Sequence, residues 1–82
     1  MRKSLFSKEY DTFCILLRQV RDEAGMSQNQ LAKRLDVPQG WLSKCEHGQR
    51  RMDVLELFRI CKELGIQPEE FMRRLTDALR TP

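Results

Sequence analysis

Apolar residues recur at alternating steps of three and four from Tyr10 through Phe13, Leu17 and Val20 to Ala24, which is the spacing of one buried helical face. Ser7 stands where it can cap that helix, Glu9 and Asp11 suit its positive end, and Gly25 stops it at about Ala24. A second pattern follows at once. Ser27 with Gln30 three residues on is a capping pair, and Leu31, Ala32 and Leu35 form an apolar edge of about two turns. Pro38 has no amide to donate and disfavours helical geometry at Val37, so this helix ends before it. The third helix runs from Gln39 to Glu46 with Leu42 and Cys45 inward, and His47-Gly48 closes it. Asp53 and Glu56 cap a fourth, with Leu57, Phe58, Cys61 and Leu64 at helical spacing and Gly65 at its end. Pro68 and the pair Glu69-Glu70 open a fifth, striped by Phe71, Leu75 and Leu79. No run alternates with period two for long enough to be a strand, so the expected fold is all-α, a compact bundle of five helices.

Helices two and three are too short to be stable alone, because nucleation costs more than so few hydrogen bonds return. They must brace each other. Two helices joined by a three- or four-residue turn form a helix-turn-helix, whose second member can project from the surface. A B-DNA major groove is about 12 Å wide and admits one helix, so this shape suits the reading of base edges. With Leu31, Leu35, Val37, Leu42 and Cys45 as interior, the residues expected to face outward are Gln39, Gly40, Trp41, Ser43 and Lys44. A Gln pairs bidentately with adenine, a Lys donates to guanine, and Trp41 can cover a thymine methyl or the sugar-phosphate edge. Gln28, at the start of helix two, is placed to offer a phosphate its side-chain amide and the helix's free amides.

Charge sharpens this picture only locally. Fifteen Lys and Arg against twelve Asp and Glu leave +3 over 82 residues, too little to name a polyanionic partner. Between Ser27 and Met52, however, Lys33, Arg34, Lys44, Arg50 and Arg51 face only Asp36 and Glu46. The length fits one domain over 1–82, in which folding hides roughly 60% of the unfolded chain's surface. Cys14, Cys45 and Cys61 form no CxxC pair and propose neither a disulfide framework nor a zinc site, and no cofactor or metal is expected. The leader MRKSLFSKEY has no apolar run of a signal peptide and no 18 apolar residues occur together, so a cytoplasmic protein is expected.

The run LRQVRDEAGMSQNQLAKRLDVPQGWLSKCEHGQRRMDVLELFRICKELGI, Leu17 to Ile66, resembles the phage repressor and Cro type of helix-turn-helix domain, the XRE-like family. It covers about three-fifths of the chain as one unbroken pattern, and GMSQNQLA, WLSKCEHG and the closing helix to LGI are jointly specific. The resemblance implies a five-helix DNA-binding domain, usually dimeric, that regulates transcription with helix three as its recognition element. Carried onto this chain, it makes Gln28, Gln39, Trp41, Ser43 and Lys44 the DNA-facing set and pairs Arg21 with Glu46 as a structural ion pair. Residues 67–82 then form a C-terminal helix and a candidate dimer element. Three positions depart from the family pattern: Asp36 stands where the turn commonly has Gly, Pro38 replaces a Ser or Thr cap, and Gly40 occupies a position that often reads a base.

Several residues carry two readings. Arg50 and Arg51 either clamp phosphate beyond the recognition helix or form a solvated loop. His47 caps a helix end, and the inward Cys45 behaves as a small inert hydrophobe, as do Cys14 and Cys61. The stripe Phe71, Leu75 and Leu79 either folds back on helices one and four or pairs with a second chain, with Phe6, Ile15 and Met72 as further two-fold interface candidates. A dimer would place two recognition helices about 34 Å apart on double-stranded DNA. The expected function is thus a small bacterial or phage transcriptional regulator that binds a pseudo-palindromic operator as a homodimer. With no room for a ligand-binding domain, its regulation would come from concentration, proteolysis or a partner; controller proteins of restriction-modification systems and antitoxins resemble this size. The alternative is a protein-interaction module for a toxin or another regulator. No His-carboxylate pair, activated nucleophile or Gly-rich phosphate loop suggests an enzyme.

Overall fold

The computed structural model describes residues 7–80, and Phe6, with its expected part in an interface, lies outside the described residues. The chain forms α1 (Lys8–Glu23), α2 (Gln28–Leu35), α3 (Gln39–Glu46), α4 (Val54–Leu64) and α5 (Pro68–Arg80). Three of the helix starts are closed by side chains. The Ser7 hydroxyl accepts from the Tyr10 amide at 3.0 Å. Ser27 and Gln30 complete a reciprocal capping box, the Gln30 amide donating to Ser27 Oγ at 3.1 Å and the Ser27 amide to Gln30 Oε1 at 2.8 Å. Asp53 and Glu56 repeat it at 2.8 and 3.0 Å.

The turn between α2 and α3 departs from the usual chemistry and is nevertheless well closed. Asp36 takes the left-handed region at φ 59°, ψ 47°, and the Val37 amide donates to the Ala32 carbonyl at 3.0 Å. Asp36 is the single non-glycine residue with positive φ among the described residues, a conformation that Asp tolerates at lower cost than most. Pro38 then begins α3 with extended backbone and no side-chain cap.

What stabilises two eight-residue helices is the core they share. Leu31 of α2 and Leu42 and Cys45 of α3 are fully enclosed together with Leu17, Ile60, Cys61 and Phe71. Burying one such Leu contributes about 1.5–3 kcal/mol, which exceeds what the few hydrogen bonds of either helix return alone. α2 lies against α3 and α4, while α1 supports α3 on one side and α5 on the other.

Two expectations of burial need correction, and the α5 stripe divides between core and solvent. Ala24 is the exposed C-terminal cap of α1, and Cys14 and Leu16 are buried on that helix as well. In α4 the core position belongs to Ile60, while Phe58 is 51% exposed. Along the α5 stripe, Phe71 folds inward and meets Phe13 edge-on at 5.8 Å, Leu75 is half-buried, and Leu79 stays in solvent. α5 is tied to α1 by Arg74, which donates to both Glu23 oxygens at 2.8 Å.

Candidate nucleic-acid interface

The recognition candidate α3 stands on a chain of hydrogen bonds that begins inside the protein. Arg21, late in α1, donates through Nε to Glu46 Oε2 at 2.6 Å and through NH2 to Oε1 at 3.0 Å, and its NH1 reaches the Met26 carbonyl at 2.8 Å. The side chains of this pair are only 9% and 2% exposed. Hydrogen bonding to Glu46 holds the Arg21 pKa above its ordinary value, against the opposing effect of burial. Glu46 therefore anchors the C-terminal end of α3 from beneath, with no buried side-chain polar atom left unsatisfied among the described residues.

The chain continues outward. Gln28 donates through Nε2 to the same Glu46 Oε1 at 2.8 Å, and its own Oε1 accepts from Gln39 Nε2 at 2.6 Å. Four side chains from α1, α2 and α3 are thus joined in sequence, Arg21 to Glu46 to Gln28 to Gln39. The outer member is exposed and keeps its carbonyl oxygen and one amide hydrogen unused, the donor-acceptor pair that fits an adenine edge. Gln28 itself is half-buried and spends its amide on Glu46, so its side chain acts first as a brace between helices.

Further along α3, Gln39, Gly40 and Lys44 are exposed and Ser43 is half-buried. His47, exposed at the C-terminal cap, approaches the Ser43 carbonyl with Nδ1 at 2.8 Å and the Ser43 hydroxyl at 3.3 Å. A carbonyl only accepts, so Nδ1 carries the proton. A Cβ at Gly40 would have nothing within 4 Å, so the glycine is not required by packing inside the chain.

Trp41 is not the outward side chain that the spacing predicts. It is half-buried against the core, and the Arg50 guanidinium lies over its ring at 4.8 Å. Trp41 shares a small depression with Leu35 at the end of α2, Val37 of the following turn, and Glu56 and Arg59 of α4. Arg50 is further occupied by Glu56, to which it donates at 3.1 and 3.2 Å. That contact keeps the Glu56 carboxylate below its usual pKa. Arg51 lies elsewhere, over the Tyr10 ring at 4.5 Å. The structure therefore joins Gln28 to Gln39 and Arg50 to Trp41, leaves Lys44 exposed and Ser43 half-buried on α3, and places Arg51 over Tyr10.

Two functional side chains were missed by sequence reasoning. Glu56 is legible as a capping residue, but nothing local announces that it also orients Arg50. The Tyr10 hydroxyl donates to the Arg50 carbonyl at 3.2 Å and accepts from the Met52 amide at 3.1 Å, which fixes the loop after α3 onto α1 across 40 residues of sequence. Cys45 sits in α3 with no exposure, and burial raises its pKa as it does those of Cys14 and Cys61, so all three remain thiols. No group of three His, Cys, Asp or Glu side chains among the described residues is arranged to hold a metal. Nor is any described helix long and apolar enough to cross a membrane.

Comparison with known proteins places this geometry. Residues 13–82 match the family model described as a helix-turn-helix domain. The control protein C.BamHI of Bacillus amyloliquefaciens is 33% identical over 57 residues, which is 68% of this chain and 70% of that protein. The transcriptional regulator RamB of Mycobacterium tuberculosis is 36% identical over 55 residues, but the chain spans only 12% of RamB's length. Among solved structures, an XRE-family like protein from Pseudomonas syringae is 36% identical, with a TM-score of 0.79 over 90% of this chain and 88% of that one. The restriction-modification controller C.Esp1396I, solved as a tetramer on its 35 base-pair operator, shares the fold at 23% identity, with a TM-score of 0.82 over 92% of this chain and 99% of that one. The alternative of a module for a toxin or another regulator protein finds no support among these relatives. On a family match over residues 13–82 and relatives of 33% and 36% identity that it covers to 70% and 88%, the chain belongs to the XRE-like helix-turn-helix family.

Proposed function

We propose that this protein is a sequence-specific DNA-binding transcriptional regulator, acting in the cytoplasm of a bacterium or phage-infected cell, that occupies a pseudo-palindromic operator as a homodimer. The observation that carries this reading is the Arg21–Glu46–Gln28–Gln39 chain. It fixes a base-reading amide on an exposed helix by anchoring it to a buried ion pair, an expense of polar burial that simple folding does not require. Gln39, Ser43 and Lys44 are then the base-facing side chains, with Gln39 reading adenine and Lys44 reading guanine. Gln28 and the amides at the start of α2 approach phosphate, and Arg50 over Trp41 supports a second phosphate contact. The operator-bound state of C.Esp1396I and the regulatory roles of C.BamHI and RamB support the same reading.

The test is selection from random duplex DNA on the purified chain at near-physiological salt, followed by sequencing. An enriched inverted repeat, with half-sites one or more helical turns apart and adenine and guanine among its fixed positions, is the expected result. Absence of enrichment from a folded protein would reject the reading.

A further inference from the structure

Gln39, Ser43 and His47 follow one another at steps of four, so they line a single stripe of α3 that ends on its C-terminal cap. His47 is exposed, and its imidazole is held in one orientation. The Ser43 carbonyl accepts from the His47 amide at 3.0 Å and from Nδ1 at 2.8 Å, and the Ser43 hydroxyl oxygen lies 3.3 Å from the same nitrogen. With the proton on Nδ1, Nε2 is left across the ring from Ser43, bearing a lone pair in the neutral imidazole and a hydrogen in the protonated one. It has no hydrogen-bond partner among the described residues.

Position decides what such an atom meets. A recognition helix presents its N-terminal residues to base edges, and His47 stands about 12 Å beyond Gln39 along the axis, at about 1.5 Å per residue. There the helix leaves the groove, whose wall is phosphate. A lone pair on Nε2 repels an anion, whereas an Nε2–H donates to it in a charge-assisted bond.

The charged groups around the ring leave that charge unmatched. On α3 they are Lys44, which is exposed, and Glu46, whose carboxylate is turned inward to Arg21 of α1 and only 2% exposed. α1 also brings Cys14 beneath Gly48, with Asp11 acting on that thiol. α2 carries Lys33 and Arg34, the second lying 3.9 Å from Glu63. In the loop beyond, Arg50 is held by Glu56 and Arg51 lies over Tyr10. No carboxylate pairs with His47 among the described residues, so the protonated ring has no anionic partner within the fold.

We infer that His47 is a further DNA contact of this protein, donating from Nε2 of its protonated ring to a backbone phosphate at the C-terminal end of α3, so that operator binding takes up a proton. This rests on α3 being the recognition helix. An anion beside the ring favours its protonated form, so affinity is greatest on the acid side of neutrality and falls as pH rises towards 8. His47 is the one histidine in the sequence, and its removal leaves no imidazole to titrate.

Fluorescence anisotropy with the full chain on its selected operator, at fixed salt between about pH 5.5 and pH 8, tests the contact. The wild type is expected to bind about five- to tenfold more tightly at the acid end, with a salt slope steeper there by about 0.9. His47→Ala and His47→Gln should lose that gain and bind at every pH about as the wild type does near pH 8, since neither side chain titrates. Whatever the α-amino group and the carboxylates add is common to all three proteins and is subtracted. A pH profile that survives both substitutions, or a wild type without one, would overturn the contact and leave operator binding standing. Variants that differ from the wild type in thermal unfolding alone would overturn it too, because that is the behaviour of a helix cap and nothing more. If the folded protein selects no operator at all, the assignment of α3 fails and His47 fails with it.

Discussion

On the α2–α3 side, the outward side chains are held by polar contacts that run inward: Gln39 to Gln28 to Glu46 to Arg21, and Arg50 to Glu56. On the α4–α5 side, Val54, Leu55, Phe58 and Leu79 are apolar and lie open to solvent. The two regions differ in what they leave ready for a partner. A polar face with fixed donors and acceptors suits a ligand recognised by hydrogen-bond pattern, because groups ordered in advance lose little freedom on binding. An apolar face gains by being removed from water, and needs a partner of matching shape more than of matching pattern. The two kinds of surface are carried by different helices packed on one core.

Breaking the inner end of the polar chain is the largest perturbation available. Arg21→Ala leaves Glu46 buried without its cation and is expected to lower stability by about 3 kcal/mol, read as a shift of the urea midpoint at constant slope. Because Gln28 hangs from the same carboxylate, base discrimination should fall as well, even where the variant is still folded. An unchanged midpoint would remove the ion pair from the account of the site.

The outer end is expected to behave differently. Gln39→Ala should leave stability nearly unaltered and cost about 1–3 kcal/mol of discrimination at one operator position, and Lys44→Ala should do the same at another. Binding measured on the selected operator and on single-base variants of it separates the two. Equal losses on specific and random DNA would mean that α3 contacts backbone alone.

How far this division could be read from the sequence follows from the range of the interactions involved. Helix starts and stops were legible because their chemistry is local: Ser27 with Gln30, Asp53 with Glu56, and Gly25 at a C-terminus. The side of α4 that turns inward was not. Leu57, Phe58, Ile60, Cys61 and Leu64 allow more than one apolar stripe, and the packing of α1, α2 and α5 selects the one with Ile60. Trp41 was misread for a similar reason. Its ring packs partly against the core, and Arg50, from the loop beyond α3, lies over it. The positions offered for base contact were readable as exposed or partly exposed residues of α3, whereas the hydrogen bonds that hold Gln39 join residues up to 25 apart.

Tyr10 connects the two regions, and its removal should act on both by a smaller amount. Its ring lines a groove bordered by α1, α4 and α5, while its hydroxyl binds the loop at Arg50 and Met52. Tyr10→Phe keeps the ring and should cost about 1 kcal/mol of stability through the unpaired Met52 amide. Self-association should be unchanged and DNA affinity slightly reduced. If association falls instead, the loop and the groove are coupled more tightly than their shared residue implies.

The smallest expected effect isolates Arg50. Glu56→Gln removes a charge but keeps an oxygen that can still accept from the Asp53 amide, so the cap on α4 survives. Arg50, no longer paired, becomes available to phosphate; affinity for every DNA sequence should rise modestly and the salt slope should steepen by about 0.9. The same substitution has a signature in pH. Arg50 lowers the folded-state pKa of Glu56, so the pair contributes stability above the unfolded carboxyl's pKa of about 4.3, and that contribution is lost as pH falls through the lower folded value. The wild type should therefore gain more stability than Glu56→Gln between about pH 3 and pH 5. Parallel stability curves over that range, with an unaltered salt slope, would show that Arg50 serves Trp41 and the loop and contributes nothing to phosphate binding.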